Sequence, residues 1–488
     1  MFVGPGGAAA RTELPARRAG TGARLVRVTW AARPPSATAI KTSEAAGTLV
    51  SRFAISPGAD GCGLQEGTMS YEDWVYGPFG LDAVKGRTIR CQRTVLAVAH
   101  SVTAATRLAD IVPLVESDRR VQVVYTWAPS SVFSAGVQDL LSRLGGVVIP
   151  WRQAVQVRFD LAIAASHGLL EQLHAPVLTV PHGVGFAKYP SRWAGPGPAV
   201  RRRLRETDAG SLVHHGRVIA AGIVVATNGQ LVQLERWCPE AAAVAAVAGD
   251  PCLDRLVASL PLRDVYRHAL GVGDETLIAV SSTWGAGSLL AQCPDVLPRL
   301  MDELPPEKYR VAAIIHPNCW HWHGPKQLRA WYADSERRGL ILLPPEDGWR
   351  AVLAASDILI GDHGSVTCYG ASIGVPVTLA AFPGGEVQPR SQVASLGKIA
   401  PRLRLDQPMA AQLKEATNAW CVEAHAAIRA QVTSAPGQAA GIIRALMYRL
   451  MQLAEPAVPA DVQPVSAPEP AIVRQPPRTD WQPPRTDR

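Results

Sequence analysis

The sequence predicts an α/β protein with two Rossmann-like, doubly wound parallel sheets facing one another across a cleft. Two observations carry that expectation. Short β-branched apolar runs alternate with longer helical stretches through the middle of the chain, the pattern of parallel strand–helix units. Nearly every such run also ends in a small polar cluster, and ligands of open parallel sheets bind outside the carboxyl ends of the strands. Length and composition agree with this: 488 residues, 47% hydrophobic and 18% charged, describe a large globular chain of about two domains plus tails.

In the first half, strands are expected at 94–100, 121–127, 159–166, 177–181, 223–228 and 242–248. In the second, where the pattern is clearer, they fall at 277–282, 311–316, 340–343, 358–361 and 377–381. Helices are expected at 287–304, 325–338, 348–356 and 365–373. The run Leu270-Gly-Val-Gly-Asp-Glu275 breaks the chain into a first domain, 93–270, and a second, 271–408. Residues 409–454 are Ala-rich with an apolar stripe and read as a helical segment packing back across both domains. The first 92 residues, rich in Ala, Arg, Gly, Pro and Ser without periodicity, read as a disordered leader, with Met69 as an alternative start. From residue 455 the chain is Pro-rich and repeats Gln-Pro-Pro-Arg-Thr-Asp at Gln475 and Gln482 around Trp481, which reads as a disordered tail or docking peptide.

Charge and apolar content narrow the classes of function. The net charge is +8, and residues 1–92 hold 11 basic against seven acidic side chains, so the body of the chain has a mild excess and no groove-reading motif; nucleic acid is not an expected partner. Arg201, Arg202, Arg203 and Arg205 follow a Gly-Pro loop and read as a solvated loop or a contact for an anionic partner. The longest apolar run, 218–227, is about half of what a spanning helix needs. The N-terminus lacks the apolar core of a secretory signal, so the expected location is cytoplasmic. Eight scattered cysteines form no C-x-x-C pair, which argues against a disulfide framework or zinc finger.

The segment Gly361-Asp-His-Gly-Ser-Val-Thr367 places small and hydroxyl residues at a strand-to-helix turn. Backbone N–H groups at Gly364, Ser365 and Val366, with the hydroxyls of Ser365 and Thr367, would face an anion there, a diphosphate above all. An ordinary N-cap on Asp362 or Ser365 explains the same residues. Ser281-Ser282-Thr283-Trp284-Gly285-Ala286-Gly287-Ser288 repeats the pattern, with Gly285 and Gly287 allowing close backbone approach; a tight turn is the plainer alternative, and neither Walker A nor G-x-G-x-x-G spacing is present. His316 ends the next strand, where it could reach the same anion as a charge-assisted donor. Its spacing to Cys319, His321 and His323 matches no standard zinc pattern, so no metal is expected. His182-Gly183 ends a strand of the first domain and makes His182 a candidate general base, imidazole being suited to deprotonating a hydroxyl near neutral pH; a structural histidine bonded to backbone is the alternative. His100, His167 and Asp250 are weaker candidates of the same kind.

Together His182-Gly183, Thr283-Trp284, His316-Pro317, and Asp357-Ile-Leu-Ile-Gly-Asp362 followed by Gly364-Ser365 and Gly374-Val375-Pro376 resemble the CDP-glycerol glycerophosphotransferases of teichoic-acid synthesis. The broader likeness is to GT-B glycosyltransferases and UDP-N-acetylglucosamine 2-epimerases; it spans residues 94–452 and is densest in the second domain. The resemblance implies a GT-B fold, a nucleotide-diphosphate donor held mainly by the second domain, a hydroxyl acceptor on the side of the first, and no catalytic metal or tightly bound cofactor. It makes His182 the acceptor-activating base, His316 a phosphate-contacting histidine, and Asp362 with Ser365 the counterpart of the family's D-Y-S-S segment. That segment reads Asp-His-Gly-Ser here, closer to the D-S-G-G of the epimerases, and Gly285 stands where the family usually has Arg or Asp.

The resulting expectation is a transferase moving glycerophosphate, a related alditol-phosphate or a sugar onto a hydroxyl acceptor in cell-envelope polymer synthesis. A lipid-linked acceptor and peripheral membrane association fit that setting. Its rivals are a UDP-sugar 2-epimerase, for which the expected carboxylate set is missing from the sequence, and a catalytically silent nucleotide-binding protein of the same fold.

Overall fold

The computed structural model describes residues 74–80, 88–131, 134, 136–185, 187 and 209–468. Met69, the four arginines at 201–205 and both copies of the terminal repeat lie outside them.

The first sheet begins with β1 (Arg93–Ala99), β2 (Val121–Trp127), β3 (Val147–Val148), β4 (Leu161–Ala164) and β5 (Val177–Thr179). An antiparallel hairpin of β6 (Val213–His214) and β7 (Arg217–Val218) follows, and β8 (Gly222–Val225) and β9 (Ala245–Val247) complete the sheet. Its seven strands are all parallel, in the order β3-β2-β1-β4-β5-β8-β9. The second sheet holds β10 (Thr276–Ser282), β11 (Tyr309–Ile315), β12 (Ile341–Leu342), β13 (Ile358–Gly361) and β14 (Val377–Leu379), also all parallel, in the order β12-β11-β10-β13-β14.

Alternation along the central strands explains the near-continuous apolar runs. Val95, Ala97 and Ala99 of β1 enter one core cluster while Leu96 and Val98 enter the cluster on the opposite face. Leu277 and Ala279 of β10 are separated from Ile278 and Val280 in the same way. Strands buried on both faces need apolar residues at every position. In each sheet the strand order reverses beside the first strand, between β1 and β4 and between β10 and β13, and a crevice opens at such a point beyond the strand ends.

The helices that position the site are α1 (Val102–Ile111), α2 (Pro251–Ser259), α3 (Leu289–Gln292), α4 (Pro317–His323), α5 (Trp349–Ala355) and α6 (Ser365–Ser372). The 287–304 helix is instead α3 and a second helix, Val296–Glu303, separated by Cys293 to Asp295. The segment from residue 409 is three helices rather than one continuous stretch: α7 (Met409–Ala419), α8 (Val422–Val432) and α9 (Ala439–Met451). Extended residues Trp420 and Thr433 end the first two, and Ser434-Ala-Pro-Gly437 spaces the third, with Gly437 at φ +72. α7 packs in a core of the second sheet, whereas α9 packs Ile443, Met447 and Met451 against the first.

At both ends the packed chain extends beyond the boundary that composition suggests. Trp74–Gly80, assigned to the leader, packs on the first sheet: Phe79 is buried among Leu96 and Ile149, and the Gln153 amide exchanges two hydrogen bonds with the Val75 backbone. At the other end, residues 455–468 run over α2 as a strap. Val465 is buried, its N–H donates to Ser259 Oγ at 2.9 Å, and its carbonyl accepts from Tyr266 Oη at 2.7 Å. An extended proline-rich chain has unused backbone groups, and Ser259 of α2 and Tyr266 of the next α-helix, Arg263–Ala269, satisfy them here.

The turn into α2 is sterically fixed. Gly249 has φ +87, and a Cβ there would lie 2.5 Å from the Ala435 carbonyl oxygen. Gly249→Ala is expected to lower stability by at least about 1–3 kcal/mol, measured by urea denaturation, because backbone strain and a backbone clash add.

Candidate functional site

A cleft of about 770 Å³ runs between the carboxyl ends of the two sheets. From the first sheet it is lined by residues following β1 (His100, Ser101), β4 (Ser166, His167) and β5 (His182). From the second come Ser281 to Trp284 after β10, His316 after β11, and Gly364 and Ser365 after β13.

His182 is exposed to this space. Its Nδ1 lies 2.9 Å from the Ala165 carbonyl. A carbonyl only accepts, so Nδ1 carries the proton and Nε2 is the basic nitrogen, the tautomer a general base requires. The same histidine is thus bonded to backbone and open to the cleft, and the two sequence readings of it are compatible.

The next residue brings the two sheets together. Ser365 begins α6, and its Oγ accepts from Val184 N–H at 3.4 Å, while a Cβ on Gly183 would sit 2.7 Å from that Oγ. The candidate base and the first turn of α6 are therefore neighbours across the cleft. First-turn N–H groups have no partner within the helix, and the macrodipole favours an anion beside them.

Asp362 does not line the cleft. It is fully buried, its Oδ2 accepting from Thr283 N–H at 2.8 Å and Leu289 N–H at 2.9 Å, and its Oδ1 from Gly364 N–H at 2.9 Å. The carboxylate ties the β10 loop, the start of α3 and the start of α6 into one unit. This corrects two expectations, since Asp362 holds the loops and the Gly364 N–H is committed to it. Thr367 is likewise fully buried, packed on Gly361, and Ser288 caps α3 by accepting from Ala291 N–H. Gly285 needs its left-handed φ of +89, and Gly287 passes under Pro383, where a Cβ would come within 2.8 Å. Of the residues singled out in the sequence, the cleft gathers His182, His316, Ser281, Ser282, Thr283, Gly364 and Ser365; Gly285, Gly287, Ser288, Asp362 and Thr367 shape its walls from behind.

His316 caps α4, its Nδ1 accepting from Asn318 N–H at 3.1 Å. That bond makes Nε2 the protonated nitrogen of a neutral ring. His316 therefore donates without the full charge expected of it. Cys319 packs against the Thr283 carbonyl, and burial pushes its thiol up to about 12, while His323 meets Trp331 edge-on. Among the described residues no group of three His, Cys, Asp or Glu side chains is placed to hold a metal ion.

Of the weaker candidates, His167 lines the cleft and Asp250 is a buried N-cap of α2. His100 is 3% exposed, with Nε2 donating to the Gly168 carbonyl at 2.7 Å. Burial lowers its pKa to about 4, against the raising effect of that hydrogen bond, with His182 lowering it further. A histidine depressed on folding is protonated first in the unfolded chain, so stability is lost as pH falls from about 6.5 to about 4. The expected loss is up to about 3 kcal/mol. Urea midpoints across that range should show the slope, and His100→Asn should flatten it.

Several cleft residues carry no sequence signal of their own. Trp284 enters the sequence pattern only beside Thr283, yet it stands 39% exposed at the mouth with its ring 6.4 Å from that of His316. Arg107, Arg350 and Tyr369 line the cleft from the interiors of helices, where no strand-end rule points.

No protein-family model matches the sequence, and no curated protein matches it. Among solved structures, the wall teichoic acid polymerase TagF is similar over 76% of this chain and 92% of its own, with a TM-score of 0.51 and 13% identity. A TagF variant soaked with CDPG gives 0.52 over 76% and 91%, again at 13% identity. The fold is GT-B-like. A third structure, S. aureus MnaA with UDP, covers 76% of this chain and all of its own at 13% identity, with a TM-score of 0.49. In this GT-B-like frame the cleft lies between the two Rossmann-like sheets, and both reversal points open into it.

Proposed function

We propose that this protein is a transferase that moves an alditol-phosphate, of the CDP-glycerol type, or a sugar from a nucleotide-diphosphate donor to a hydroxyl acceptor. The observation that carries the reading is the adjacency of His182, whose Nε2 is the basic nitrogen, to the first turn of α6. The similar TagF variant was soaked with CDPG, which agrees with a donor of that kind.

The acceptor hydroxyl would lose its proton to His182 Nε2 as its oxygen attacks. In glycerophosphate transfer the new bond forms to the donor's β-phosphorus, the bond from that phosphorus to the bridging oxygen breaks, and CMP leaves with the electron pair. In sugar transfer the attack is at the anomeric carbon and a nucleoside diphosphate leaves. In either case the first turn of α6, the Ser365 hydroxyl and His316 Nε2–H would stabilise the charge gathering on the leaving phosphate, with no covalent intermediate. Asp362 would contribute by fixing those groups before the donor arrives.

The epimerase reading is less well supported. Moving a proton at the sugar's C2 calls for an acid–base pair, and among the described residues lining the cleft Glu171 is the sole carboxylate. Membrane proximity enters only through the acceptor, for no helix of the described residues is long and apolar enough to cross a membrane.

The test is product analysis. The protein is incubated with CDP-glycerol, CDP-ribitol or UDP-N-acetylglucosamine and polyol acceptors, and released nucleotides are separated by chromatography. CMP marks phosphoryl attack and a nucleoside diphosphate marks glycosyl transfer. Recovery of a 2-epimerised sugar nucleotide, or no nucleotide released from any donor, would overturn the proposal.

A further inference from the structure

On the side of the first sheet the cleft wall is α1. Thr103, Thr106 and Arg107 lie at i, i+3 and i+4, so they share one helix face, and all three line the cleft. Arg107 is 2% exposed. Its Nη2 donates to Tyr369 Oη at 2.9 Å, but Nη1 reaches Asp250 and Asp110 only at 3.5 and 3.9 Å, and Nε has no hydrogen-bond partner among the described residues. Thr103 Oγ1 is buried without a partner among them as well.

The neighbouring carboxylates are committed elsewhere. Asp250 accepts from Cys252 N–H, Leu253 N–H and Tyr369 Oη, at 2.8, 2.9 and 2.8 Å. Asp110 is bridged by Arg255 at 2.6 Å and Arg350 at 2.8 Å. Three guanidinium groups thus meet two carboxylates, and burial raises the pKa values of the Tyr369 phenol and the Cys252 thiol, which keeps both neutral. Arg255 is partly exposed and does not line the cleft, so the feature of the wall itself is Arg107, a buried guanidinium whose Nε–H has no acceptor among the described residues. A buried cation with unused donors is costly until an anion completes it.

We propose that this face of α1 is a second anion subsite, which takes a phosphate ester presented by the acceptor, with Arg107 Nε–H and the Thr103 hydroxyl as donors. A guanidinium edge and a hydroxyl one helical turn away suit the several oxygens of a tetrahedral phosphate. Tyr369, which Arg107 contacts, is four residues along α6 from Ser365, a rise of about 6 Å. One acceptor molecule can therefore set its phosphate on α1 and its hydroxyl near His182. The subsite's assignment to the acceptor rests on the proposed function; its anion chemistry does not.

The test titrates the full-length protein with glycerol 3-phosphate, followed by phosphorus-31 line broadening, with and without saturating CDP. Binding should persist in CDP and in Ser365→Ala, and glycerol should not compete for it. Arg107→Gln should weaken it on the order of tenfold, as loss of a charge-assisted hydrogen bond does. Arg107 is buried, so Thr103→Val, which leaves every ion pair in place, is the second variant and should weaken binding severalfold. The proposal is overturned if glycerol 3-phosphate does not bind, if CDP or Ser365→Ala abolishes its binding, or if Thr103→Val binds it like the native chain. Failure of the donor reading would show differently, as absent CDP binding with glycerol 3-phosphate binding intact.

Discussion

Replacing His182 by Asn lowers kcat for transfer by about 10²–10⁴-fold while donor affinity stays within about twofold, because the base acts on the acceptor and only as the bond forms. Asn keeps the possibility of a bond to the Ala165 carbonyl but offers no basic nitrogen where Nε2 stands. Steady-state kinetics and donor titration on the same variant separate the two quantities. An unchanged kcat would assign His182 to structure, and a parallel loss of donor affinity would place it on the donor instead.

Asp362→Ala is expected to cost about 3–5 kcal/mol of stability, the largest effect of any single change in the site. The substitution removes the acceptor for the N–H groups of Thr283, Leu289 and Gly364 at once, in a place that water does not reach. Asp362→Asn keeps the shape and one good acceptor oxygen, and should cost less, about 1–3 kcal/mol. Urea denaturation measures both. If Asp362→Asn keeps full stability yet loses donor affinity, the carboxylate meets the donor directly, as the sequence pattern alone suggests.

Much of the frame is legible in the chain because parallel strands buried on both faces announce themselves. The runs at 121–127 and 358–361 match β2 and β13 to the residue. β3 and the β6–β7 hairpin, two residues per strand, escape a reading of the sequence, whereas the equally short β12 is found because Leu340 and Leu343 extend its apolar run. The break before α9 has a signal in Pro436-Gly437 that the Ala-rich composition masks. The cleft residues are legible for one reason, that strand ends carry polar clusters only where something binds or caps. Sequence cannot tell those two uses apart, so Ser365 and Asp362 look alike until burial separates them. Arg107 is invisible for the opposite reason: it is a helix residue whose partners, Asp250 and Tyr369, are brought to it by the fold from 143 and 262 residues away.

The central claim, that the cleft holds a nucleotide-diphosphate donor at the first turn of α6, is tested most directly by calorimetric titration with CDP-glycerol and UDP-N-acetylglucosamine. The native chain should bind one of them at a single site, and Ser365→Ala should weaken that binding by about tenfold, the effect of losing one hydrogen bond to a charged group. Binding of neither donor, or equal binding by Ser365→Ala, would contradict it.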